Sequence, residues 1–164
     1  MARSLRLVVG LLLLAAMFGL GWVVAKARVG SSVSRASLSD LERQFTDRMK
    51  GVALVGHFTI VGRGDRPPIP ERYEISSAEK VGDNEWRFNA RIKYGKIDTA
   101  LPIVVTMVWA GDTPMITMTE VAIPTLGTFS ARVLFYGDRY AGTWQHGDQG
   151  GGHMFGRIEK VANP

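Results

Sequence analysis

Three residues near the C-terminal end of the chain, His146, Asp148 and His153, have side chains of the kinds that bind metal ions. Imidazole nitrogens and carboxylate oxygens ligate zinc and copper, and a hairpin could bring the three groups together. Their spacing matches no recurrent metal motif, such as His-Glu-x-x-His on a helix. The glycines around them, Gly147 and residues 150–152, favour a tight turn in which Asp148 bonds to nearby backbone. The triad is therefore a candidate metal site, and a turn is the competing interpretation.

Large aromatic side chains form a second set of candidates. They recur on several predicted strands and include Trp86, Trp109, Trp144 and Tyr140. Inside a β-barrel such residues could line a pocket for an apolar ligand. They could equally fill the interior, because an eight-stranded barrel is only just wide enough for its own side chains. We consider both interpretations, with these four residues as the ligand-pocket candidates.

Nucleophilic catalysis has no support in the sequence. The chain has no cysteine, which excludes disulfides, thiolate metal sites and cysteine nucleophiles. The Gly-x-Ser-x-Gly elbow of serine hydrolases does not occur either. We predict no catalytic residue and no cofactor, and favour a non-enzymatic binding or interaction domain. The alternative is a small exported metal-dependent enzyme centred on His146, Asp148 and His153.

The basic charge of the chain is concentrated at its N-terminal end. The formal net charge is +5 and the isoelectric point is near 9.8. Four basic residues, Arg3, Arg6, Lys26 and Arg28, flank an apolar segment, and residues 31–164 hold 16 basic against 15 acidic side chains. A near-neutral domain lacks the basic face that binds phosphates, so nucleic acid is not expected as a partner.

The apolar segment, Leu7–Ala25, contains no charged residue. As a helix it would span about 28 Å, close to the thickness of a bilayer core, whereas cleavable signal peptides have shorter apolar regions. Ala25-Lys26-Ala27 nevertheless has the small-x-small pattern of a cleavage site. We therefore predict that residues 1–28 are a membrane anchor or a signal peptide. The following domain would lie outside the cytoplasm, on a single-pass anchor or, after cleavage near Ala27, secreted or periplasmic.

Residues 29–38 are small and polar and predict a linker, so the exported domain would comprise residues 39–164. A capping box of Ser39 and Glu42 predicts a helix over about residues 40–50, which Gly51 ends. Leu41, Phe45 and Met49 form its apolar stripe. This stripe could close one end of a barrel or sandwich, or bind a partner.

After Gly51 the hydrophobic pattern alternates with a period of two, which is typical of half-buried β-strands. The clearest strand is Glu85–Tyr94, and short turns rich in glycine and proline separate it from its neighbours. Such short connections permit only antiparallel hairpins. We predict a mainly β fold, an up-and-down meander of about eight strands that forms a lipocalin-like barrel or a sandwich. The predicted strands are Val52–Gly62, Arg72–Lys80, Glu85–Tyr94, Leu101–Trp109, Met115–Ile123, Thr128–Tyr136, Arg139–His146 and Gly152–Lys160.

Several stretches of the C-terminal half carry a resemblance. The segments GDTP (111–114), LGTF (126–129), ARVLFY (131–136), YAGTWQHG (140–147) and HMFGRIE (153–159) are similar to a group of uncharacterised exported proteins of planctomycete-type bacteria. This resemblance runs from about Phe45 to Lys160 and implies a bacterial, extracytoplasmic domain without implying any chemistry. Residues 140–144 also resemble the Gly-x-Trp element of lipocalins, which in that family lies on the first strand and here on the seventh.

Overall fold

Eight antiparallel strands form a closed barrel in the computed structural model, which describes residues 34–62, 66–94, 96–124 and 126–161. Before the strands, the described residues contain a 3-10 turn (Arg35–Ser37) and one short α-helix, α1 (Asp40–Arg48). The strands are β1 (Val52–Phe58), β2 (Ile69–Lys80), β3 (Glu85–Tyr94), β4 (Ile97–Ala110), β5 (Thr113–Ile123), β6 (Gly127–Tyr136), β7 (Arg139–His146) and β8 (Gly151–Lys160).

Each strand pairs with the next one along the chain, and β8 pairs with β1 to close the ring. The closure brings Gly56 of β1 opposite Gly156 of β8. Because every edge strand then finds a hydrogen-bonded neighbour, the closed ring leaves no edge exposed. The predicted eight-stranded meander is confirmed, and of the two architectures considered it is the barrel.

Helix α1 begins at the predicted capping box. The Ser39 backbone N–H donates to Glu42 Oε2 over 2.8 Å, and the Glu42 N–H donates to Ser39 Oγ over 3.3 Å. Phe45 and Met49 are buried, as the apolar stripe predicted, whereas Leu41 is 39% exposed. The buried part of the stripe is therefore one helical turn long.

Phe45 is the centre of the packed end of the barrel. Its ring lies 5.5 to 6.2 Å from the ring centres of Trp86, Phe88, Trp109 and Phe135, three of them in edge-to-face geometry. Such pairs add to the free energy gained by burying the rings. The helix thus acts as an apolar plug at the end of the barrel where β1 begins.

The two faces of β3 alternate as predicted. Trp86, Phe88, Ala90 and Ile92 are buried in the interior. Arg87 lies on the other face, but only 9% of it is exposed, because its guanidinium pairs with Glu79 Oε2 at 2.6 Å. The alternation of this strand predicts that Arg87 faces water, and that prediction is wrong.

The predicted anchor or signal peptide, residues 1–28, lies outside the described residues. Among the residues that the structure describes, no helix is long and apolar enough to cross a membrane. The end of the predicted linker packs against the domain: Leu38 is buried, and Arg35 forms a two-pronged ion pair with Asp47 at 2.7 and 2.8 Å.

Candidate functional site: the barrel cavity

The barrel interior contains a cavity of about 350 Å³. It begins below the packed aromatic end, at Phe88 and Phe135, and extends to the opposite end, where Ile60, Leu126 and His146 line it. Almost all of its lining is aliphatic or aromatic, contributed by inward-facing residues of all eight strands. Pockets that bind small molecules typically have about 300–1,000 Å³ and a predominantly apolar lining.

Glu71 is the acidic residue in this apolar lining. It lies on β2 and is only 4% exposed. The Tyr140 hydroxyl donates to its Oε1 over 2.8 Å, and the Tyr73 hydroxyl donates to its Oε2 over 2.7 Å. Each carboxylate oxygen thus accepts one hydrogen bond from a neutral donor.

Two glycines make the room for this arrangement. Gly56 lies directly opposite Glu71 in the β1–β2 register, and Gly156 lies opposite both Gly56 and Tyr140. A Cβ atom at Gly56 would lie 2.5 Å from the Tyr140 hydroxyl, and one at Gly156 would lie 2.7 Å from the Tyr140 ring. Because both positions lack a side chain, Tyr140 can lie flat across two strands and reach Glu71.

Burial dominates the electrostatics of the pair. It raises the pKa of Glu71 above its usual range, and the two tyrosine hydrogen bonds and His57 offset this only in part. Burial, with the negative charge of Glu71, raises the pKa of Tyr140 far above its ordinary value. Tyr140 therefore remains a protonated hydrogen-bond donor throughout the physiological range.

The end of the cavity away from α1 is lined by aromatic pairs. His146 stacks on Phe129 with ring centres 4.2 Å apart, and Gly127 leaves the space that the imidazole occupies. Trp144 contacts Phe58 edge-to-face at 5.6 Å. The indole Nε1 of Trp144 is buried beside Gly152 without a hydrogen-bond partner in the part of the chain that the structure describes.

The four aromatic ligand-pocket candidates occupy different positions. Trp144 lines the cavity, and Tyr140 contacts it through Glu71. Trp86 is fully buried and Trp109 half-buried, and both pack against Phe45 at the plugged end. The structure thus places two candidates at the cavity and two in the packed core.

The metal candidates His146, Asp148 and His153 are not brought together by the barrel. His146 faces the interior, Asp148 lies in an exposed 3-10 turn after β7, and His153 lies on the outer face of β8 beside Thr59. No group of three acidic, histidine or cysteine side chains that could hold a metal ion occurs among the described residues. A metal site here stays a prediction that only metal analysis of the purified protein would test.

The turn interpretation of the nearby glycines holds at two positions. Gly147 and Gly150 have φ angles of +46° and +126°, which favour glycine. Gly151 and Gly152 instead lie in β8, whose predicted start is Gly152, so the turn interpretation is wrong for Gly151 and the strand prediction holds for Gly152. A Cβ at Gly152 would collide with the backbone carbonyl of Thr59, so this glycine permits a close approach of two chain segments.

Glu71 and Tyr73 were not identified as site residues from the sequence. The second strand was predicted to begin at Arg72, but β2 begins at Ile69. Continuing the alternation backwards from Ile75 and Tyr73 would have placed Glu71 on the inner face. A carboxylate on an otherwise apolar face was the available signal.

Comparisons with models of known protein families, with curated proteins and with solved structures find no match for the chain. The cavity itself is therefore the feature of the protein that points to a function.

Proposed function

We propose that the chain is a non-enzymatic binding protein that holds a small apolar molecule inside its barrel. The observation that carries this proposal is the cavity of about 350 Å³ in a barrel whose other end is tightly packed. Protein interiors normally contain few voids larger than a water molecule. An apolar space of this size removes favourable contacts from its lining, and a ligand would restore them.

The arrangement of the two ends supports this function. Helix α1 and the aromatic cluster around Phe45 fill one end and keep the barrel closed there. The far end is built of turns and of side chains such as Leu126 and His146. We infer that a ligand enters at the far end, because turns rearrange more readily than a packed core.

The proposal also includes the location of the protein. Residues 1–28 would tether the domain to the cell membrane, with the barrel outside the cytoplasm, or would be removed as a signal peptide. A carrier of apolar molecules in that position would act on compounds of the envelope or its surroundings.

Filling the cavity should abolish binding. Ala131 lines the cavity on β6, whereas Ala141 is exposed on the outer face of β7. We expect the neutral dye N-phenyl-1-naphthylamine to fluoresce strongly with the wild-type chain and to bind Ala131→Phe at least about tenfold more weakly, a change of roughly 1.4 kcal/mol. The matched variant Ala141→Phe should bind the dye like the wild type.

Thermal unfolding of both variants would show that each is folded. Equal dye binding by Ala131→Phe and Ala141→Phe would mean that the dye binds elsewhere and that the interior is not the binding site.

A further inference from the structure

We propose that the cavity is selective for a lipophilic amine, whose protonated nitrogen bonds to the Glu71 carboxylate while its apolar body fills the remaining space. This inference rests on the proposed binding function and specifies its ligand class.

The charge distribution of the lining is the first support. Glu71 is the acidic residue among the described residues that line the cavity, and no lysine or arginine lines it. No described residue forms an ion pair with Glu71. A buried carboxylate without a cation is costly, and a cationic ligand would compensate its charge.

The hydrogen bonds of Glu71 are the second support. Tyr73 and Tyr140 each donate to one carboxylate oxygen, which suits the ionised form because that form only accepts hydrogen bonds. A carboxylate has about four acceptor positions, and two tyrosine hydroxyls occupy two of them. An ammonium group donates up to three hydrogen bonds and would fit the remaining acceptor positions.

The aromatic lining is the third support. Rings of Phe58, Phe88, Phe129, Phe135 and Trp144 surround the same space. Ammonium groups are attracted to the faces of such rings, especially where water is excluded. An anionic ligand would instead meet both the electron-rich ring faces and the Glu71 carboxylate, so the lining disfavours fatty acids.

Three ligands that have similar alkyl chains but different head groups test this proposal. Octylamine, octan-1-ol and octanoate would be titrated calorimetrically into the purified full-length chain. We expect the affinity for octylamine to be at least about tenfold higher than that for octan-1-ol. Octanoate should bind more weakly than either. Glu71→Gln keeps the size of the side chain and should remove the preference for octylamine over octan-1-ol.

Glu74→Gln is the matched control, because Glu74 lies on the outer face of the same strand and pairs with Arg72 and Lys93. Its amine preference should equal that of the wild type. The comparison of the three ligands in the wild-type chain remains decisive even if Glu71→Gln does not fold.

The outcomes separate a failure of the amine proposal from a failure of the proposed binding function. If octan-1-ol binds as tightly as octylamine, or if the amine preference survives in Glu71→Gln, the assigned ligand class is wrong and the binding function stands. Tightest binding of octanoate would likewise overturn the amine proposal and would mean that Glu71 is protonated and donates to the ligand. If none of the three ligands binds, the binding function fails as well.

Discussion

Glu71 is the residue that most distinguishes the cavity from an ordinary apolar core. A carboxyl group that is 4% exposed and hydrogen-bonded, among the described residues, to Tyr73 and Tyr140 is a costly feature of a small barrel. An apolar residue at this position would give a more stable protein, as it does at many buried ionic sites. The cost is understandable if the carboxylate serves ligand binding.

This cost predicts how stability depends on pH. A raised pKa means that Glu71 holds its proton more tightly in the folded chain than in the unfolded chain. Ionisation of Glu71 therefore lowers the stability of the folded protein as the pH rises above 4.5. We expect ligand-free Glu71→Gln to have a higher melting temperature than the wild type at neutral pH. The difference should vanish below pH 4.5.

For Glu74, on the outer face of β2, we expect the opposite dependence of stability on pH. The hydrogen bond from Arg72 is the main cause that lowers the pKa of Glu74. Glu74→Gln should therefore lose stability at neutral pH, by less than about 1 kcal/mol for a partly exposed pair, and the loss should disappear as the pH falls. If the melting-temperature difference of Glu71→Gln does not change with pH, the assignment of a raised pKa is wrong.

At the scale of the secondary structure elements, α1 determines which end of the barrel is packed. Phe45 is 2% exposed and contacts four aromatic rings, so its removal would leave a large void at the plugged end. We expect Phe45→Ala to reduce the free energy of unfolding by about 3–5 kcal/mol in chemical denaturation. Leu41→Ala on the same helix is the control.

Leu41 is 39% exposed, so its substitution should change stability by less than about 0.5 kcal/mol. Equal losses in Phe45→Ala and Leu41→Ala would show that the helix does not plug the barrel through Phe45.

The elements were largely predictable from the sequence because their signals are local. The capping box fixed the start of α1, and the strict alternation of β3 identified its buried face. Glu71 was missed for a different reason. A strand identified by apolar alternation ends where a charged residue takes an inward position, so the predicted strand stops at Arg72. In the structure Glu71, Tyr73 and Ile75 all face inward, and the register of β2 shifts only after Ile75.

The cavity could not be predicted from the sequence, because its existence depends on which interior side chains meet. Trp86, Trp109 and Trp144 are all tryptophans on strands with the same apolar alternation. Two of them nevertheless pack against Phe45, and one lines the cavity. Helix α1 decides whether a tryptophan packs against Phe45 or lines the cavity. Such a contact between distant elements leaves no local pattern in the sequence.

In the whole molecule, the predicted anchor or signal peptide, residues 1–28, would determine where the barrel is located. The uncharged run Leu7–Ala25 is long enough to span a bilayer, so we expect the full-length chain to remain in washed membranes of its host. Immunoblotting of membrane and soluble fractions, with N-terminal sequencing, would measure this. An exported form that begins at Arg28 would show that the leader is a cleaved signal peptide.

Native mass spectrometry of the full-length chain isolated from its own host would show directly whether the barrel holds a small molecule. A barrel that holds a small molecule in a cavity of about 350 Å³ should show a second, heavier species, and denaturation should release a compound of the corresponding mass. Ala131→Phe isolated in the same way should lack that species. A wild-type chain that carries no compound, with a native mass equal to its mass after denaturation, would mean that the barrel does not hold a small molecule.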